Sequence, residues 1–85
     1  MWGEKEHAVR DADQCASTLD GMRREVAENP GELGPRLRLG VSLLECDSAA
    51  EAAAELQLAA RMVPDDPHVA LLAIRALVEA GRAHD

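Results

Sequence analysis

Phenylalanine and tyrosine are absent, and Trp2 is the single aromatic residue among 85. Modules that hold nucleic acid by stacking bases need several aromatic platforms, so that route is closed. β-Branched residues are scarce too: six valines, one isoleucine and one threonine. Strands favour β-branched and aromatic side chains, which argues against a sheet-rich domain. Cationic residues are outnumbered, nine Lys and Arg against sixteen Asp and Glu, for a formal net charge of −7. Such a surface repels phosphate backbones and anionic bilayers; neither nucleic acid nor membrane is an expected partner. No apolar run approaches the ~20 residues that span a bilayer. The opening Met-Trp-Gly-Glu-Lys-Glu lacks the apolar core of a secretory signal, so a cytoplasmic location is expected. Cysteine is limited to Cys15 and Cys46, without CxxC or zinc-finger spacing. They read as two buried thiols. A disulfide would need the helices carrying them to meet, and a reducing compartment would oppose it.

What the chain has in quantity is alanine, sixteen residues, and leucine, eleven. Both lose little side-chain entropy in a helix. The expected fold is one small all-α domain of about four helices. Breakers fall at Asn29-Pro30-Gly31 with Gly34-Pro35, at Cys46-Asp47-Ser48, at Val63–Pro67 and at Gly81. Residues 1–29 form an N-terminal amphipathic region and residues 30–85 a hairpin core.

In the first region Val9, Ala12, Ala16, Leu19, Met22 and Val26 recur at steps of three or four. They predict one long helix over Glu4–Glu28; a break near Asp13-Gln14 is the alternative. The second helix is predicted from Pro35, a residue suited to a first turn, to Glu45. The third opens on Ser48-Ala-Ala-Glu51, a capping-box pattern, and runs to Met62. The fourth opens on Asp66-Pro67, a capping carboxylate before a first-turn proline, and runs to Ala80, with Gly81 as a left-handed C-cap. The short second and third connections force helices two, three and four to stack as successive antiparallel hairpins.

Residues 33–66 carry a further pattern. Leu39-Gly40, Leu43, Ala52, Leu56, Ala59 and Pro64 fall at fixed positions of a thirty-four-residue unit. In this the segment resembles the tetratricopeptide repeat family. Arg36 departs from the pattern, standing where the family favours tryptophan or another large apolar residue. The spacing has a cause of its own: small Gly40 and Ala52 let two helices approach, Leu39, Leu43 and Leu56 fill the space beside them, and Pro64 ends the second helix. A degenerate second unit begins at Pro67, with Leu77 and Gly81 in register and Ala70, Ala73 and Ile74 out of it. The fourth helix is then a terminal cap or the start of further repeats.

The resemblance implies a concave face built from the first helix of each hairpin. It assigns Leu37, Val41 and Leu44, then His68, Leu71, Arg75 and Val78, to a partner-binding groove. The expected function is a protein–protein interaction module that packs a partner's apolar or amphipathic segment there. A chaperone-like cover for a secreted or assembling subunit is the alternative, and an oligomerisation or docking segment of a longer protein is another. The N-terminal helix could itself fill the groove or pair two copies into a homodimer. Leu37 and Val41 replace the Lys and Asn with which some relatives clamp a terminal carboxylate. No phosphate loop or His–Glu metal motif occurs, so neither catalysis nor a cofactor is expected. His7, Asp11 and Cys15 share a helical face but read as a solvated surface rather than a metal site.

Overall fold

The computed structural model describes the backbone of residues 12–83 and the side chains of residues 14–82. It contains four helices and no strand among the described residues: α1 (Ala12–Glu28), α2 (Leu33–Glu45), α3 (Ala49–Met62) and α4 (Pro67–Ala83). The all-α expectation holds. Each helix packs on the one before it, and α2 also touches α4. The part of the long N-terminal helix assigned to residues 4–11 lies outside the described residues. From Ala12 onward α1 continues through Asp13-Gln14 and Gly21 without a break.

The core follows the periodic apolar positions. Leu39 and Leu43 of α2, with Ala52 and Leu56 of α3, are fully enclosed. Leu19 and Val26 enter from α1, and Ala73 and Ala76 from α4. Gly40 of α2 is where a side chain of α3 presses against the helix backbone. A Cβ placed on it would lie 2.5 Å from Leu56 Cδ2 and 2.6 Å from Leu56 Cγ. The glycine is therefore the hole into which Leu56 inserts.

Arg36 crosses from α2 to α3, donating to Glu55 at 2.8 Å and to the Pro30 carbonyl at 3.2 Å. A long, largely covered cation thus occupies the position where the repeat pattern favours a bulky apolar residue.

The helix ends show where local rules give way. Helix α2 starts at Leu33, two residues ahead of Pro35, which sits in the first turn, where its missing N–H costs nothing. Asp66 caps α4 as expected, accepting from the amides of His68 at 2.9 Å and Val69 at 3.3 Å. The capping box at Ser48 does not form: Ser48 makes no side-chain cap bond. Glu51 instead accepts two bonds from Arg23 of α1, at 2.7 and 2.8 Å. The guanidinium gives the carboxylate two charge-assisted bonds where the cap amide would give one. Gly81 is not a left-handed C-cap either. The helix runs through it to Ala83, and no glycine among the described residues has positive φ.

The left-handed residue is Asp47, with φ 62°. It closes α2: the Ser48 amide donates to Leu43 O at 2.8 Å and the Asp47 amide to Leu44 O at 3.2 Å. This is the Schellman arrangement, with an aspartate where glycine is usual.

The two cysteines are not free thiols. Cys15 and Cys46 form a disulfide, with Cα atoms 6.0 Å apart. The antiparallel packing of α1 on α2 brings the start of one helix beside the end of the other, which supplies the meeting of helices that such a bond requires. No described helix is long and apolar enough to cross a membrane.

Candidate functional site

Helix α4 is apolar on two sides. Val69, Ala73 and Ala76 form its buried stripe. On the opposite side Leu71, Ile74, Leu77 and Val78 stand 46–63% exposed. A helix that packs on a core through one stripe ordinarily turns charges outward; α4 turns outward four large aliphatic side chains.

The residues assigned to the groove divide into two groups. Leu37 and Leu44 are half-buried and pack against the core, and Val41 is half-buried as well. His68, Leu71, Arg75 and Val78 are exposed on α4. The two groups meet at one end of the molecule, where Leu44 and Arg75 line a common cleft of about 500 Å³ with Asp47, Ala49, Glu79 and Arg82. Leu71 and Val78 belong instead to the outer stripe of α4, together with Ile74 and Leu77. The sequence-predicted groove leaves those last two out, although the sequence held a signal that Ile74 departs from the repeat. Ile74 stands thirty-four residues after Gly40, a large residue where a helix of the preceding hairpin type needs a small one.

Helix α1 does not cover this surface. Its described residues pack on α2 through Leu19 and Val26, with Met22 beside them, and make no contact with α4. Ion pairs support that docking: Arg23 with Glu51, and Arg38 with Glu25 at 3.1 Å. The two hydrogen bonds from Arg23, offset in part by desolvation, hold the Glu51 carboxyl below the ordinary glutamate range. The same bonds raise Arg23.

Cys15 is committed to the disulfide, and His7 and Asp11 lie outside the described residues. Among the described residues no cluster of His, Cys, Asp or Glu could hold a metal. No protein family model, curated protein or solved structure matches this chain.

Proposed function

We propose that the chain is a non-catalytic protein-interaction module built on a tetratricopeptide-like hairpin, α2 with α3, and that α4 is its principal contact element. The observation that carries this reading is the outward stripe of Leu71, Ile74, Leu77 and Val78. Clustered exposed apolar side chains of this kind mark interaction surfaces. The hairpin reading is supported by the burial of Leu39, Gly40, Leu43, Ala52, Leu56 and Ala59, the helical positions of the repeat pattern. A partner's apolar face packs on Leu71 and Val78. Leu44 lines the neighbouring cleft beside Arg75, with Val41 and Leu37 on the same helix, and Arg75 and His68 set polarity at the edge. No cofactor enters.

The test is crosslinked capture from source cells with the wild-type chain and with Leu71→Ser/Val78→Ser. The reading expects a stoichiometric protein partner that the double variant loses while its helicity stays intact. A wild-type chain that recovers nothing dependent on those residues ends the reading. The Cys15–Cys46 disulfide weighs against the cytoplasmic setting expected from the sequence, because disulfides persist in oxidising compartments and are rare in the cytosol. Thiol labelling of the protein taken directly from cells should find Cys15 and Cys46 oxidised; a reduced pair returns the protein to the cytoplasm.

A further inference from the structure

We propose that the occupant of the α4 stripe is an amphipathic helix of another protein that carries carboxylates along one edge of its apolar face. This rests on the interaction-module reading and adds the partner's chemistry. Leu71, Ile74 and Val78 recur at steps of three and four, with Leu77 beside them, and no charged residue interrupts them. Along one margin run His68, Arg75 and Arg82, seven residues apart and all exposed. Seven residues are close to two turns, so the three form a row parallel to the helix axis. Arg75 has no ion pair among the described residues, and Arg82 comes only within 3.8 Å of Glu79, beyond hydrogen-bond distance. Helix α4 therefore carries two arginines against one glutamate in a chain of net charge −7. Glu79 and Asp47 line the same cleft as these arginines, but neither comes within hydrogen-bond distance of Arg75 or Arg82, so both guanidiniums stay open to a partner along one edge of the apolar stripe.

That arrangement disfavours a second copy as the occupant. Two α4 helices packed antiparallel about a twofold axis would set the basic row of one along the same rim as the basic row of the other. Like charges brought together across an interface oppose association. A helix with an acidic margin gives each arginine a charge-assisted partner while its apolar stripe covers Leu71, Ile74 and Val78.

The experiment uses the full chain and three synthetic amphipathic peptides. Two share one Leu/Ala stripe, with Glu along its margin in the first and Lys in the second; the third scrambles the first. In calorimetric titrations the Glu peptide should bind about tenfold more tightly than the Lys peptide, a difference one charge-assisted pair supplies. The advantage should shrink as salt rises. Arg75→Glu/Arg82→Glu should reverse the preference, and Leu71→Ser/Ile74→Ser should lose both peptides while keeping wild-type helicity. Equal binding of the two peptides, lost in the serine variant, overturns the acidic edge and leaves the interaction module standing. No binding of either peptide overturns both. Self-association in sedimentation velocity that the serine variant abolishes assigns the face to a second copy and overturns the proposal. A shift of Trp2 emission on Ile74→Ser without peptide places the chain's own N-terminal segment there, with the same consequence.

Discussion

Leu56 has no exposed surface, and its branched end fills the space where a Cβ on Gly40 would sit. Gly40→Ala thus sets two effects against each other. Alanine favours the helix by about 1 kcal/mol over glycine, whereas one methyl forced into a closed core costs about 1–3 kcal/mol. Leu56 cannot swing away without displacing Leu39 or Leu43, so the steric effect should win. Urea denaturation should show Gly40→Ala less stable than wild type, and Gly40→Val more severely so. Ala52 and Gly40 were both legible in the sequence as small residues between leucines; which leucine nests on the glycine was not. Arg36 was legible only as a mismatch. Its side chain is 12% exposed and bonded to Glu55 and Pro30 O, while its Nε lacks a partner. Truncating one member of a covered ion pair strands the other. Arg36→Ala should therefore destabilise by about 3 kcal/mol, and Arg36→Leu/Glu55→Leu by far less, as thermal melts of the three proteins would show.

Between elements, charged pairs outweighed local caps. The Ser48–Glu51 pattern is a helix-start signal that a sequence reading takes at face value, and α3 does start there. Yet Glu51 reaches sideways to α1, because Arg23 offers two donors where Ser48 offers one amide. This contact lay beyond the sequence, since it depends on which faces of α1 and α3 look at each other across α2. Its consequence is a pH dependence. The folded Glu51 carboxyl titrates below its unfolded counterpart. The pair therefore stabilises the fold above the ordinary glutamate range, and that contribution is lost as pH falls through the depressed value. Both side chains are about 40% exposed, so solvent screening limits the effect to about 1 kcal/mol or less. Glu51→Gln should melt slightly below wild type at pH 7, and the two should converge as pH falls below the depressed value. Asp66 presents the opposite case, a cap read correctly from sequence because its partners, the His68 and Val69 amides, are local. Asp66→Ala should lower stability by about 1 kcal/mol.

Over the whole molecule, the order of helices and the antiparallel stacking of α2 to α4 were legible from breakers and short connections, but the docking of α1 on α2 and the covalent tie were not. Cys15 and Cys46 lie equally far along the chain from the middle of the 29–32 connection, so an antiparallel α1–α2 pair brings them level; spacing in sequence alone does not reveal this. The tie matters because α1 is the least embedded helix. Among its described side chains only Leu19 and Val26 are buried, and its ion pairs are exposed. Helices α2 to α4 instead share the enclosed leucines and alanines. A disulfide closing a loop of this length contributes about 2–4 kcal/mol, chiefly by restricting the unfolded chain. Reduction with a phosphine should therefore act unevenly. Hydrogen exchange should quicken first at α1 amides from Cys15 to Val26, while amides around Leu43 and Leu56 keep their protection. The Cys15→Ser/Cys46→Ser variant should reproduce that pattern without reductant, and its melting temperature should fall with it. Uniform loss of protection would mean that α1 is integral to one cooperative core, and unchanged protection that its few buried side chains hold it unaided.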